Sequence, residues 1–328
     1  MGGGPVRIAP RIHALCGDRS AQRTMREAVA AAVGGCRRDR AIAPVLAALE
    51  AYGAGADLGD CPALEALFSV PGSARETIAP FIARLVALQR NDPLVQLAFR
   101  HQSGGDFHFL QIAAKGRATL GLALHDRRCQ RGAGGIATFP HAERHEVVLA
   151  GRAELGLLEI AHDGVAEATI IERRRRVAVG SVLAFTGAGR SRIVRRVDGR
   201  LLVLRLARIA EAPLPTRQFA LPAGRLVHRA SGDRCESRHE MMLALLGRMR
   251  RADAAPAMAA MTRAGSDHLR WQALRECLAL DTAEGFRALA RIAADRTDPL
   301  AAKAGALRAT LLEAHPELVR LEHAPCPA

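Results

Sequence analysis

Residues 191–206 read Ser-Arg-Ile-Val-Arg-Arg-Val-Asp-Gly-Arg-Leu-Leu-Val-Leu-Arg-Leu, a stretch typical of two short β-strands. Asp198-Gly199 between the two apolar halves predicts a two-residue hairpin turn. A second hairpin is predicted where Lys115-Gly116-Arg117 joins strands at 107–112 and 118–124. Because no helical pattern separates these strands, they predict an antiparallel β-sandwich or small barrel over residues 104–230. Further strands are predicted at 146–149, 153–160, 167–171, 176–179 and 182–185.

Helical patterns flank this β-region on both sides, so the predicted fold class is α+β. An N-terminal helical region covers residues 1–98, and a C-terminal helical domain covers residues 237–320. Apolar residues recur there at the spacing of one helix face. The predicted helices are 21–34, 40–51, 75–90, 239–249, 255–261, 269–280, 283–293 and 299–313.

The C-terminal domain contains a short internal repeat. Ala273-Leu274-Arg275-x-x-Leu278 returns 33 residues later as Ala306-Leu307-Arg308-x-x-Leu311. Asp298-Pro299-Leu300-Ala301-Ala302-Lys303-Ala304 between them resembles the Asp-Pro stretch of HEAT repeats. The resemblance implies stacked helix pairs, and a plain helical bundle remains the alternative.

Charge is concentrated in the middle of the chain. The 328 residues carry a net charge of +14, and only Lys115 and Lys303 are lysines. Residues 151–235 hold 16 basic and 8 acidic residues, around Arg173–Arg176 and Arg190–Arg196. These arginines have two interpretations. In a chain rich in alanine and arginine they could simply lie on solvated faces. Alternatively, they form a functional cluster that binds the carboxylates of an acidic small molecule, peptide or protein partner. One Trp, one Tyr and nine Phe leave little for base stacking, which argues against nucleic acid as a partner.

The sequence shows neither a membrane-spanning segment nor an apolar block typical of a secretory signal. Seven scattered cysteines without a Cys-x-x-Cys pair support neither a disulfide framework nor a zinc knuckle. We therefore expect reduced thiols in a cytoplasmic protein without membrane attachment. Motifs of nucleophilic hydrolases, P-loop nucleotide hydrolases and His-Glu-x-x-His metalloproteases are missing from the sequence.

The stretch from Gly135 to Gly151, Gly-Ile-Ala-Thr-Phe-Pro-His-Ala-Glu-Arg-His-Glu-Val-Val-Leu-Ala-Gly, resembles a degenerate first cupin motif. Gly135, the gap of five residues and His141 fit the family pattern, while Glu143 stands where a second histidine is usual. The resemblance implies a double-stranded β-helix over about 100 residues with a metal site inside it.

His141-x-Glu143 also fits the first two ligands of a facial triad for Fe(II), because residues i and i+2 of a strand share a face. The third ligand is predicted to be His228, with His145, His108 and His101 as alternates. Arg234 and Arg238 follow His228 at spacings where the similar 2-oxoglutarate oxygenases carry a carboxylate-binding arginine. Substrate-binding residues are thus predicted among Arg190, Arg192, Arg234 and Arg238.

Two functions from different classes follow. The first is an Fe(II)-dependent cupin-type oxygenase that acts on a peptide or acidic small molecule, with 2-oxoglutarate as a candidate co-substrate. The alternative is a non-catalytic cupin-like binding or scaffold protein without a cofactor, which recognises an acidic ligand or partner through its arginine clusters and helical domain. A DNA-binding regulator is disfavoured because residues 236–328 carry 13 basic and 12 acidic residues.

Overall fold

The computed structural model describes residues 19–91, 99–126, 134–164 and 166–322. They form two compact units, a first that runs to Glu211 and includes Gln218–Val227, and a second that consists of Ala212–Arg217 and the chain from His228 onward. Helices and antiparallel strands occur in separate stretches of sequence, which confirms the predicted α+β class.

Four helices precede the first strand in the described ranges: α1 (Arg19–Arg37), α2 (Ala43–Ala54), α3 (Pro62–Ser69) and α4 (Ser73–Asn91). Three of them match predictions to within a few residues, and α3 was not predicted. A proline lies in the first turn of both α2 and α3, where its missing N–H costs no helical hydrogen bond.

Ten strands follow among the described residues, and the two longest each span two segments that the sequence pattern predicts as separate strands. One sheet has the order β1-β2-β3-β8-β5-β6, with β7 also paired to β5, and a second sheet has the order β10-β9-β4. The strands are β1 (His101–Gly104), β2 (Phe107–Lys115), β3 (Ala118–Asp126), β4 (Gly135–Phe139), β5 (Ala142–Asp163), β6 (Ala168–Ala178), β7 (Val182–Phe185), β8 (Arg190–Ile209), β9 (Thr216–Leu221) and β10 (Arg225–Ala230).

The hairpin predicted at Asp198-Gly199 is wrong, because that dipeptide lies inside the single strand β8. The long strands β5 and β8 instead pair along their whole length, with register shifts near Ala150. Gly151 and Gly199 both have positive φ, 86° and 82°, at this irregularity. A Cβ at Gly151 would come within 1.9 Å of the Arg200 carbonyl oxygen, so only glycine fits this close approach. The hairpin predicted between β2 and β3 is confirmed.

Both faces of the central strands are buried, each against a different core. Val147 and Leu204 belong to a core shared with α1–α4, which we call the helix side. Val148 and Val203 belong to a second core formed by the β-strands alone, which we call the interior. Alternation along each strand therefore decides which side a residue reaches.

The second unit contains six helices around its own core, which includes Leu274, Phe286 and Leu289. In the helix predicted at 239–249, Leu243 is in the core, whereas Met242 and Leu245 are exposed. Within the described ranges, no helix has the length and apolarity that a membrane crossing requires. The helices are α5 (Arg234–Arg248), α6 (Ala255–Met261), α7 (Asp267–Leu280), α8 (Thr282–Ala294), α9 (Ala301–Ala314) and α10 (Val319–Glu322).

Candidate anion-binding site

Charged residues alternate along the first half of β5. Arg144 and Glu146 are buried and have the same parity as Val148, so they lie in the interior. Glu143 and His145 have the opposite parity and lie on the helix side. One short stretch therefore supplies two separate clusters of charged side chains.

Glu146 is the centre of the interior cluster. Its side chain is 1% exposed and accepts hydrogen bonds from Nε of Arg192 and from Nε of Arg205, the latter at 2.7 Å. Burial alone would raise the pKa of Glu146, but the charges of Arg192, Arg205 and Arg144 outweigh it and lower the pKa. Glu146 is therefore ionised at neutral pH. The interior cluster consists of His125, Arg144, Glu146, Arg192 and Arg205.

Arg144 reaches across the interior from β5 to the start of β8. Its Nη2 donates to the carbonyl oxygen of Arg190 and to Oγ of Ser191, both at 3.3 Å. Its guanidinium also lies over the ring of Phe185, 4.9 Å from the centroid. Burial lowers the pKa of Arg144 to about 10, which still leaves the side chain charged at neutral pH.

Three buried nitrogens of this cluster have no hydrogen-bond partner among the residues that the structure describes: Nε of Arg144, Nη2 of Arg192 and Nε2 of His125. Buried polar groups in proteins are almost always hydrogen-bonded, so each such atom requires an explanation. Burial, with the charges of Arg192 and Arg205, lowers the pKa of His125 to about 3. His125 is therefore neutral at pH 7, and its ring does not add to the positive charge.

The charges of these side chains do not balance. Among the described residues, three guanidinium groups lie around the carboxylate of Glu146, which satisfies only two of them by hydrogen bonds. Arg205 is the most exposed of the three, at 22% of its side chain, and connects the cluster to solvent. Free guanidinium N–H groups with excess positive charge suit a carboxylate or a phosphate group.

In the helix-side cluster the charges balance more closely, because one carboxylate faces one guanidinium, and the Tyr52 hydroxyl is the buried polar atom without a hydrogen-bond partner among the described residues. One oxygen of Glu143 contacts Nε2 of His145 at 2.9 Å, and the other accepts from Nη2 of Arg208 at 2.8 Å. Arg208 also donates to the carbonyl oxygens of Tyr52 and Ala56 and lies 4.0 Å from the centroid of the Tyr52 ring. Burial, followed by the charge of Glu143, raises the pKa of the Tyr52 hydroxyl. This cluster joins α2 to the sheet.

The predicted metal ligands do not form a recognisable site. A cation at Glu143 would share its carboxylate with the guanidinium of Arg208, and like charges so close repel. His228 belongs to the second unit, so its convergence with His141 and Glu143 stays a prediction. In the part of the chain that the structure describes, no three His, Cys, Asp or Glu side chains are grouped to hold a metal ion.

The alternate ligands are dispersed. His145 pairs with Glu143 and contacts the ring of Phe68, with the ring centroids 5.8 Å apart. His101 is exposed on β1, and His108 on β2 contacts Oγ of Ser103 at 3.0 Å. In the order of the sheet, β3 and β8 separate β2 from β5. Among these alternates, only His145 contacts Glu143, whereas His101 and His108 lie on other strands.

The predicted substrate-binding arginines also separate. Arg192 lies in the interior cluster, whereas Arg190 is 61% exposed and pairs with Glu159 at 3.1 Å. Arg238 is exposed on α5 in the second unit, and the side chain of Arg234 lies outside the described part of the structure.

Sequence reasoning missed four members of the interior cluster. The sequence did contain a signal for them. Arg144 and Glu146 are spaced two residues apart in line with Val148, as residues on one strand face are, and Arg205 interrupts an apolar run. The exposed Arg173–Arg176 run lies on β6, the last strand of its sheet, where charge discourages edge pairing.

No family model matches this chain, and no curated protein does. Among solved structures, it is similar to a sugar phosphate isomerase of the cupin superfamily from Silicibacter pomeroyi, with 12% identity over 40% of this chain and 88% of that chain at a TM-score of 0.27. The capsular polysaccharide assembling protein CapF from Staphylococcus aureus matches with 11% identity over 37% of this chain, at a TM-score of 0.27.

An Fe(II) HppE structure matches with 6% identity over 34% of this chain and 56% of that chain, at a TM-score of 0.27. The chain spans about a third of CapF and of vicilin, which is also similar. At TM-scores of 0.26 to 0.27, these likenesses leave the cupin-like fold of the β-domain a prediction. No activity or residue role follows from such distant likenesses.

Proposed function

We propose that this protein is a binding protein for a small organic anion, which it holds inside its β-domain through the interior cluster. The observation that carries the proposal is the set of buried donors without partners on Arg144 and Arg192, beside His125. The ligand class is a carboxylate or phosphate compound, because a planar guanidinium matches both groups. This is the non-catalytic function that the sequence offered as its alternative.

Energetics support this proposal over a purely structural role. An uncompensated buried charge costs several kcal/mol, and Arg144 remains charged at neutral pH. A bound anion would satisfy the donors and offset the excess charge at the same time. Linkage then predicts that the anion stabilises the fold, by about 2.7 kcal/mol when its concentration is 100 times its Kd.

The test replaces Arg144 by methionine, which keeps an apolar stem of similar length and removes the charge. We expect the variant to fold at least as stably as the parent without ligand, and to lose anion binding. Binding is measured by isothermal titration calorimetry with succinate, 2-oxoglutarate and inorganic phosphate as probes. Arg190→Gln is the matched control, since Arg190 is exposed and adjacent, and its carbonyl contact to Arg144 is retained.

Two results would overturn the proposal. The first is the absence of heat and of thermal stabilisation with all three anions. The second is binding that Arg144→Met leaves intact while Arg190→Gln weakens it, because the anion would then occupy the outer surface.

The Fe(II)-dependent oxygenase remains the competing proposal from the sequence, with His141, Glu143 and His228 as its ligands. The same protein sample tests it by metal analysis after anaerobic reconstitution with Fe(II). Stoichiometric iron that His141→Ala removes would favour the oxygenase. Binding of 2-oxoglutarate that requires added iron would do so as well.

A further inference from the structure

The second unit contains a cavity of about 790 Å³ between its C-terminal helices. Trp271, Arg275 and Leu278 line it from α7, at the i, i+4 and i+7 positions of one helix face. Leu307 and Leu311 line it from α9, again one helical turn apart. Small-molecule sites occupy about 300–1,000 Å³, so this cavity has the size of a ligand site.

The cavity walls are apolar. Leu278, Leu307 and Leu311 are partly buried against the core of the unit, and their remaining surface faces the cavity. Leu318 closes one end. Such a lining accommodates a hydrocarbon body and gives no hydrogen bonds to a polar one.

The polar residues that line the cavity are Arg275, Thr282, His315 and Glu317. Arg275 is exposed and forms no ion pair with any residue that the structure describes. Lys303 places its Nζ 4.0 Å from the centroid of the Trp271 ring, and His315 contacts the carboxylate of Glu317 at 3.5 Å. The only acidic side chain in the lining therefore already faces a histidine, while the guanidinium of Arg275 is available.

We propose that this cavity binds an amphipathic small molecule with a hydrocarbon body and a carboxylate head. The hydrocarbon lies against Trp271, Leu307 and Leu311, and the carboxylate pairs with Arg275. The apolar lining selects the body, and the guanidinium of Arg275 selects the sign of the head group. This site is independent of the anion site in the first unit and involves none of its residues.

Trp271 is the only tryptophan of the chain, so its fluorescence reports on this cavity. The full-length protein is titrated with decanoate, decanol and decyltrimethylammonium, which share one hydrocarbon body and differ in head-group charge. We expect a saturable fluorescence change with affinity in the order decanoate, decanol, decyltrimethylammonium. Arg275→Gln should weaken decanoate about fivefold, the effect of one partly exposed charge pair, and leave decanol unchanged.

Arg296→Gln is the control, because Arg296 is exposed in the same unit and does not line the cavity. Arg144→Met should leave the decanoate titration unchanged, which separates this proposal from the anion site. The proposal is overturned if no ligand gives a saturable change, or if Arg275→Gln and Arg296→Gln weaken decanoate equally. Tighter binding of decyltrimethylammonium than of decanoate would contradict it too.

Discussion

A glutamate is paired with arginine on each face of β5, but the two clusters differ in how completely their charges are paired. On the helix side, both oxygens of Glu143 are engaged, by His145 and by Arg208. In the interior, Glu146 is also held by two partners, but a third guanidinium remains and several donors lack acceptors. The comparison teaches that a buried ion pair becomes a candidate binding site when its charges and donors do not balance.

The largest effect is expected from Glu146→Gln. The substitution leaves three positive side chains in the interior without their carboxylate, which should cost about 3–5 kcal/mol of unfolding free energy. Urea denaturation measures the loss. Glu159→Gln removes an exposed carboxylate of the same strand and should cost less than about 1 kcal/mol. Equal losses in both variants would show that the interior is not charge-sensitive.

A smaller loss is expected from Arg208→Met on the helix side. The variant removes the hydrogen bond to Glu143, the hydrogen bonds to the carbonyl oxygens of Tyr52 and Ala56, and the contact with the Tyr52 ring. Because Arg208 and Glu143 are both partly exposed and His145 still contacts Glu143, water and His145 replace part of what is lost, and we expect a net loss near that of one charged hydrogen bond, about 1.5–3 kcal/mol. Anion binding by the interior cluster should persist, which calorimetry with the same three anions checks.

The pH dependence of stability provides a third test. Because the folded pKa of His125 is about 3, below its ordinary value of 6.5, the unfolded chain binds more protons between these values. Stability should therefore fall as the pH drops below about 6.5, by up to about 1.4 kcal/mol per pH unit from this residue.

A His125→Phe variant should lose less stability between pH 7 and pH 4.5 than the parent does, as urea denaturation at both pH values would show. His162 is exposed on the same sheet, so His162→Phe is the matched control and should follow the parent. Identical pH profiles for the parent and His125→Phe would contradict the buried, neutral state of His125.

The smallest effect is expected from Arg190→Ala. Arg190 and Glu159 are both exposed, so their ion pair contributes about 0–1 kcal/mol. Neither the unfolding free energy nor the calorimetric affinity for anions should change by more than a few-fold. A strong loss of affinity would indicate that the anion binds at the outer surface and not in the interior. Arg190 is one of the substrate-binding residues that the sequence predicts.

Local patterns predicted most elements. The β2–β3 hairpin followed from its turn residues, and α6 was predicted with its observed bounds. The short helix α3 was missed because its eight residues leave few periodic positions to recognise. Asp198-Gly199 has the composition of a hairpin turn, yet the pairing of β8 with β5 carries the chain through it. Long-range pairing thus overrode a local preference.

For the site, the sequence predicted Arg192 as a substrate-binding residue, and the structure places Arg192 in the interior cluster. As a charged site residue, the sequence analysis selected Glu143 rather than Glu146, because the His-x-Glu spacing places two ligands on one face of a strand. The spacing does not indicate which side of the sheet that face contacts. Both sides of β5 are buried, so polarity could not distinguish them.

By itself, the sequence determined the α+β class, the antiparallel β-domain between helical regions and the excess of arginine in its second half. Propensity, turn chemistry and composition are local, and they can be read from the residues alone. Only the tertiary structure decided which arginines meet which carboxylates. That depends on strand parity and on the packing of α1–α4 against one side of the sheet. The net charge of +14 does not indicate where a binding site lies. Only the structure shows that three guanidinium groups lie around one carboxylate in the interior.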